Sequence, residues 1–219
     1  MEKIILSLFV SYLLGSIPCA YFLGKIFKGI DIRKHGSGNV GATNAFRVLG
    51  PLFGTIALIF DVAKGLVCPT LIAGYLAMAD NLSWGLALRI FLGLTAVIGH
   101  NWTIFLNFRG GKGVATSLGV VIGLATVSNS LVIVLVLLIL TWLAVFLATG
   151  FVSLSSVFSA ILVPVFMVIF NLPKELLIMG LVLSSFIVFR HKPNIYRLLH
   201  KEEHRFYPLK SLWKLFSPK

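Results

Sequence analysis

Long apolar stretches alternate with short polar segments along the whole chain. Seven stretches have the composition of membrane helices: residues 4–22, 52–78, 86–106, 114–127, 131–149, 151–170 and 176–189. A helix needs about 20 mainly apolar residues to span the hydrocarbon core of a bilayer, and residues 114–127 fall short of that length. Five to seven crossings fit the pattern, and the full set predicts an all-α membrane bundle with seven transmembrane helices.

The composition supports this prediction. Of the 219 residues, 58% are hydrophobic and 12% are charged, whereas roughly a quarter of the residues in a soluble domain are charged. The net charge is +12, but the sequence shows no combination of aromatic and basic residues typical of a nucleic-acid-binding surface. We therefore do not predict nucleic-acid binding. Cys19 and Cys68 both lie in apolar stretches, so neither a disulfide framework nor a metal site is predicted.

The distribution of basic residues predicts the orientation. With seven crossings and the N-terminus outside, fifteen of the 19 Lys and Arg residues fall on the inner side. This asymmetry favours a cytoplasmic C-terminus. Residues 4–23 resemble a signal peptide in hydropathy but lack its basic start and cleavage region, so they are predicted to remain as a membrane helix. No repeat or linker divides the chain, and a single domain is expected.

The polar segment at residues 35–47 is rich in glycine and in hydrogen-bonding side chains, including Ser37, Asn39 and Arg47. Residues 36–41 fit the GxGxxG pattern, which indicates dinucleotide binding only between a strand and a helix of a βαβ unit. That context is missing here. We interpret the segment as a binding segment at the membrane interface, and an ordinary connecting loop is the alternative.

A second glycine-rich segment occupies residues 107–115. Gly113 stands where a phosphate loop of the Walker type has Ser or Thr, so that motif is excluded. The segment still predicts a phosphate nest at the start of a helix near Val114, with Lys112 adding a positive charge. In the alternative interpretation, Arg109 and Lys112 anchor a basic loop and the glycines form a simple turn.

Other polar residues fall within or beside apolar stretches. His191 lies in a third polar segment, residues 190–199. It is a candidate proton acceptor, and a solvated helix end is an equal alternative. Asp61 and Lys64 share a helix face and predict a buried ion pair with a supporting role. His100 could line the site, but the sequence does not decide this.

Common catalytic patterns are missing from the sequence. It contains no HxxxxD, HExxH or GxSxG motif and no aspartate-rich magnesium cluster. The sequence therefore lacks the residue motifs that metal-dependent hydrolysis and serine hydrolase chemistry require. A phosphate site without these groups indicates direct transfer between substrates that are already activated, with no metal or cofactor.

Together, residues 36–44 with Arg47, residues 108–115 and residues 190–199 resemble the three motifs of the acyl-phosphate:glycerol-3-phosphate acyltransferases, the PlsY family of bacterial membranes. The resemblance extends to Phe206 and leaves 207–219 as a basic extension without an assigned role. It implies a multi-pass protein of the bacterial cytoplasmic membrane whose site faces the cytoplasm. The implied reaction, the first step of phospholipid synthesis, moves a fatty acyl group from acyl phosphate to the sn-1 hydroxyl of glycerol 3-phosphate. Its products are lysophosphatidic acid and phosphate.

The resemblance implies roles for most of the candidate residues, whereas Asn39, Asp61 and Lys64 are assigned from their residue types and positions alone. The catalytic candidates are His191, Ser37, Arg47 and Lys112. The substrate-binding candidates are Gly110, Gly111, Lys112, Gly113, Arg47, Asn39 and Asn194. Supporting roles go to Glu203, Asp61 and Lys64. The glycine loop would hold one phosphate, and either His191 or a substrate phosphate oxygen would take the hydroxyl proton. A transporter of organic phosphate is the competing class, and a non-catalytic scaffold is a third.

Overall fold

The regular structure is helical throughout the part of the chain that the computed structural model describes, residues 1–80 and 85–206. The predicted basic extension at 207–219 lies outside these residues. The helices in chain order are α1 (Glu2–Ser16), α2 (Cys19–Lys28), α3 (Ala42–Leu49), α4 (Pro51–Val67), α5 (Ala73–Asp80), α6 (Gly85–Asn101), α7 (Val114–Ala125), α8 (Asn129–Thr149), α9 (Val152–Ile169), α10 (Lys174–Arg190) and α11 (Lys192–Leu199).

Proline lies at three places where the regular α-helix is interrupted. The single helix expected at residues 4–22 is wrong, because α1 and α2 meet at a 44° bend beside Pro18. Proline has no backbone N–H and disfavours helical geometry in the residue before it. Pro69 lies in a short π-helical segment, Cys68–Ile72, between α4 and α5. A 58° bend separates α10 from α11, which has Pro193 in its first turn.

Within residues 1–80 and 85–206, four helical segments are long and apolar enough to cross a membrane alone: Pro51–Leu76, Gly85–Leu106, Asn129–Thr149 and Val152–Ile169. Each of the two bent pairs, α1 with α2 and α10 with α11, adds one crossing if it spans as a unit, which gives up to six. The remaining predicted stretch is α7, an apolar helix of only 12 residues.

Glycines bring the helices that carry the polar segments into backbone contact. A methyl group at Gly65 of α4 would meet the carbonyl of Thr116 in α7, and one at Gly119 would meet the carbonyl of Val62. Gly15 of α1 faces α6 in the same way. Small residues permit this close approach of membrane helices. The approach places α4 and α6 beside the start of α7, where the second polar segment ends.

Candidate active site

The three polar segments converge on one cavity of about 520 Å³. Its polar wall combines residues from α3, the loops and the C-terminal part of the described chain. Most of the predicted site residues are in this lining: Ser37, Asn39, Arg47, Asp61, Lys112, Gly113, His191, Asn194 and Glu203. Gly110, Gly111 and Lys64 are not in it. Segments separated by more than 100 positions in the sequence therefore form a single site.

The same cavity continues between α7, α8, α9 and α10, where its wall is apolar. Here the lining residues are Leu118, Val121, Leu135, Leu138, Ile139, Val163, Leu183 and Ile187. A concave apolar space with a few polar groups at one end is typical of a site for an amphipathic ligand. The cavity thus has the chemistry to hold a hydrocarbon chain with a polar head at its mouth.

A second, smaller pocket of about 390 Å³ adjoins the first. It is strongly cationic, because Lys112, Arg190, Lys192 and Arg197 all line it. The two pockets share five wall residues: Ser37, Asn39, Lys112, Asn194 and Arg197. Two anionic ligands bound in the two pockets would therefore lie side by side.

The first loop, residues 35–41, is organised by the side chain of Asn44 in α3. Its Oδ1 accepts the N–H of Ser37 at 2.9 Å, and its Nδ2 lies 2.9–3.3 Å from three carbonyl oxygens, those of Ile32, His35 and Asn39. Asn44 is only 1% exposed, so these bonds are shielded from water. Sequence reasoning missed this role, because an asparagine near a loop gives no sign of which carbonyls it will meet.

The second loop, residues 107–113, is held by backbone atoms. The N–H groups of Gly110 and Gly111 donate to the carbonyls of Asn101 and His100 at 3.1 and 2.9 Å. Arg190 donates from Nη2 and Nε to the carbonyls of Gly110 and Gly111, at 2.7 and 2.9 Å. These two amides are therefore paired within the protein, and the part of Gly110 and Gly111 in phosphate binding stays a prediction. The amides left for an anion are those of the first turn of α7.

Lys112 lies where the second loop meets both pockets. Burial lowers the pKa of Lys112 to about 8; Glu203 opposes this shift, whereas Arg197, Arg47 and Arg190 reinforce it. The side chain therefore carries a positive charge at neutral pH, close to its titration range. A bound phosphate would stabilise the charged form.

His191 is buried between α10 and α11 and is only 2% exposed. This rejects the alternative of a solvated helix end. Its Nδ1 lies 2.8 Å from the carbonyl oxygen of Ile187. Because a carbonyl only accepts hydrogen bonds, Nδ1 carries the proton and neutral His191 keeps a lone pair on Nε2. His191 also lines the cavity. Its unprotonated Nε2 is therefore a candidate proton acceptor.

Glu203 connects the end of the described chain to three polar side chains. Its Oε1 accepts from Asn194 Nδ2 at 2.7 Å and from Ser153 Oγ at 2.9 Å, and its Oε2 accepts from Arg197 Nε at 2.8 Å. Burial alone would raise the pKa of Glu203, but hydrogen bonds from these partners lower it below its ordinary value. The carboxylate therefore stays charged and orients Asn194 and Arg197 toward the pockets.

The buried ion pair predicted for Asp61 and Lys64 is confirmed, with Nζ and Oδ1 2.9 Å apart. Lys64 also donates to the carbonyl of Ile17 at 3.0 Å. The structure adds His100, whose Nδ1 lies 3.5 Å from Asp61 Oδ1 and which lines the cavity. The sequence left His100 open because its partner lies 39 positions away on another helix.

A bundle of apolar helices with a cationic pocket beside an apolar cavity defines a class of integral-membrane protein with a site suited to an anionic, amphipathic ligand. Within that class, the chain belongs to the glycerol-3-phosphate acyltransferase family, whose model matches residues 5–201. The predicted class, an all-α integral-membrane acyltransferase of this family, is confirmed.

Individual relatives cover almost the whole chain. It is 41% identical over 203 residues to the glycerol-3-phosphate acyltransferase of Desulforudis audaxviator, covering 93% of this chain and 96% of that protein. It is 43% identical over 206 residues to that of Aquifex aeolicus, covering 94% and 100%. A crystal structure of PlsY (YgiH), an integral membrane glycerol 3-phosphate acyltransferase in its glycerol 3-phosphate form, superimposes with a TM-score of 0.81 at 37% identity, covering 98% and 99%. The lysophosphatidic acid form has a TM-score of 0.78 at 36% identity, covering 96% and 98%.

Proposed function

We propose that this protein transfers a fatty acyl group from acyl phosphate to the sn-1 hydroxyl of glycerol 3-phosphate, giving lysophosphatidic acid and phosphate. The observation that carries the proposal is the wall shared by an apolar cavity and a cationic pocket. Acyl transfer needs a lipid donor and a phosphorylated acceptor side by side, and this arrangement supplies adjacent places for both. The solved PlsY forms with glycerol 3-phosphate and lysophosphatidic acid support the same acceptor and product.

In this proposal the acyl chain of the donor lies between α7, α8, α9 and α10. The donor phosphate lies at the first turn of α7, beside Lys112. The acceptor phosphate occupies the smaller pocket near Lys192 and Arg197, and Arg47 supplies a further cation at the cavity wall. Ser37 and Asn194, which line both pockets, orient the acceptor hydroxyl.

The chemistry follows from the donor, a mixed anhydride. The acceptor hydroxyl attacks the acyl carbon to form a tetrahedral intermediate, the bond between that carbon and the phosphate oxygen breaks, and phosphate leaves with the electron pair. Two groups are the candidates to take the hydroxyl proton: Nε2 of His191 and an oxygen of the leaving phosphate. Because the leaving group is already good, the main tasks of the site are orientation and stabilisation of negative charge.

We also propose seven crossings of the bacterial cytoplasmic membrane by one domain, residues 1–206, with the N-terminus outside and the site facing the cytoplasm. Both Lys112, before α7, and Ser153, after α8, line the cavity. Because α8 has 21 residues and is long enough to cross alone, α7 must return the chain to the opposite side. At 12 residues α7 is about 18 Å long, so it crosses only with local thinning or support from its neighbours.

Product analysis tests the reaction. Purified protein in detergent micelles, given acyl phosphate and glycerol 3-phosphate, should release lysophosphatidate and phosphate in equal amounts. Glycerol in place of glycerol 3-phosphate is the control, because it lacks the phosphate that the cationic pocket would bind. Uptake of glycerol 3-phosphate into vesicles without product would instead support a transporter.

Cysteine labelling tests the topology. Lys34 and Lys174 are both exposed and fall on opposite sides in the seven-crossing arrangement. In intact cells an impermeant thiol reagent should label Lys174→Cys, whereas Lys34→Cys should react only after the membrane is opened. Labelling of both variants from the same side would contradict the arrangement.

A further inference from the structure

We infer that the imidazole of His100, oriented by Asp61, is a positioning group that sets the place of the second loop and of Lys112 within it. The inference rests on the proposed function, in which Lys112 holds substrate phosphate. It assigns a role in the reaction to a buried polar cluster inside the membrane bundle.

The contact between His100 and Gly111 is the first observation. A methyl group added at Gly111 would collide with Nε2 of His100 and would lie 2.8 Å from Cε1 and 3.0 Å from Cδ2. Gly111 is absent from the glycines with positive φ, so its backbone conformation is open to other residues. The requirement for glycine at this position therefore comes from the imidazole ring against which the loop is packed.

The second observation is how the ring is held. Nδ1 of His100 faces Asp61 Oδ1 at 3.5 Å, and Asp61 is only 2% exposed. A buried carboxylate is costly without a partner, and Lys64 neutralises it at 2.9 Å. One ring nitrogen is thus fixed by α4 while the other contacts the loop.

This geometry separates His100 from His191. Nε2 of His100 faces Gly111, where an added methyl group would collide with it. Lys112 follows Gly111 directly in the chain, so any displacement of Gly111 also moves the charge of Lys112. A misplacement of about 1 Å can lower a catalytic rate about a hundredfold. His100 therefore acts on the reaction through the position of the loop.

A double-mutant cycle tests the inference by acyl transfer in detergent. Gly111→Ala alone is expected to lower kcat/KM for acyl phosphate about a hundredfold, because the methyl group displaces the loop. In the His100→Ala background the ring is gone, and the same change is expected to cost at least about tenfold less. Asp61→Asn is likewise expected to cost less in that background, because Asp61 acts through the ring.

Gly110→Ala is the matched control. Its methyl group would meet the backbone carbonyl of His100, which His100→Ala retains. The cost of Gly110→Ala should therefore be the same with and without the ring. A general loosening of the loop would relieve both glycine variants equally and would overturn the inference.

Each remaining outcome is also decisive. An equal cost of Gly111→Ala in both backgrounds overturns the role of the ring, and an equal cost of Asp61→Asn overturns the role of Asp61. If Gly111→Ala does not fold, recovery of a folded, active double variant supports the inference; a double variant that fails where His100→Ala folds overturns it. Wild-type protein without acyl transfer would contradict the proposed function itself.

Discussion

The two glycine-rich loops line the same pockets but are built differently. In the first loop a single side chain, that of Asn44, makes four hydrogen bonds to backbone groups. In the second loop the main chain does this work, through the carbonyls at the end of α6, and Arg190 adds two bonds from another helix.

The glycines of the two loops differ in part, since Gly113 of the second loop also has a positive φ, of 79°. Gly36 and Gly38 have φ values of 60° and 71°, a left-handed conformation that suits glycine. Gly110 and Gly111 instead leave room for the end of α6 to approach the loop. A glycine-rich pattern therefore indicates a tightly built loop, but it does not reveal whether the glycines serve backbone conformation, packing or a ligand.

The largest effect is expected at the one lysine of the second loop. Lys112→Ala should lower kcat/KM about a thousandfold, because it removes a buried cation that lines both pockets. Steady-state transfer in detergent measures this. Lys34→Ala is the control, since Lys34 is exposed and lines neither pocket. If the two variants have equal activity, the second loop has no part in binding substrate.

A substitution in the third polar segment, residues 190–199, tests whether acyl transfer needs a protein group to accept the hydroxyl proton. His191→Ala should lower kcat about a hundredfold if Nε2 accepts the hydroxyl proton. The variant should leave KM for both substrates nearly unchanged, because the ring is expected to act mainly on the reacting hydroxyl. A loss smaller than about tenfold would assign the proton to the leaving phosphate.

The same substitution, at the α3 residue that holds the first loop and at a residue of the second loop, tests the comparison directly. Asn44→Asp keeps an acceptor for Ser37 but loses the donor to three carbonyls, at a cost of about 2 kcal/mol, or about thirtyfold in kcat/KM. Asn107→Asp is the matched change in the second loop. Asn107 is exposed, and within the described chain its side chain makes no hydrogen bond, so less than about a twofold effect is expected. Equal losses would contradict the difference between the loops.

The pH dependence should reflect Lys112. Because burial lowers the pKa of Lys112 to about 8, its charge is present below that pH and is lost above it. The value of kcat/KM should therefore fall about tenfold per pH unit on the alkaline side. Lys112→Arg should remove this decline, since a guanidinium stays charged. An unchanged alkaline decline in Lys112→Arg would assign it to another group.

The smallest effect is expected at Glu203. Glu203→Gln keeps an oxygen that accepts from Asn194 and Ser153 but loses the charge opposite Arg197. Because that pair is partly exposed, the expected loss is about fivefold or less in kcat/KM. The neighbouring Glu202 is exposed and Glu202→Gln is the control. A loss as large as that of Lys112→Ala would mean that Glu203 contacts substrate.

Several features were predictable from the sequence because they depend on neighbours in the chain. Apolar length indicated the helices that enclose the apolar part of the cavity, α7 to α10, although not the short helices α3 and α11. The spacing of Asp61 and Lys64 indicated their ion pair. The bend beside Pro18 could also have been predicted in place of a single helix at residues 4–22, since proline acts on the residues next to it. The roles of Asn44 and His100 were not, because their partners come from other segments of the chain.

The order of apolar and polar stretches thus determined that this chain forms a helical membrane bundle whose polar segments connect or follow the apolar helices. Whether an amide in those segments faces an anion or a neighbouring carbonyl was decided by tertiary structure alone. A backbone group buried in a bundle must find a hydrogen-bond partner, and that partner is set by which helices pack together. The N–H of Gly111 donates to the carbonyl of His100, eleven positions away. The carbonyl of Gly111 accepts from Arg190, 79 positions away.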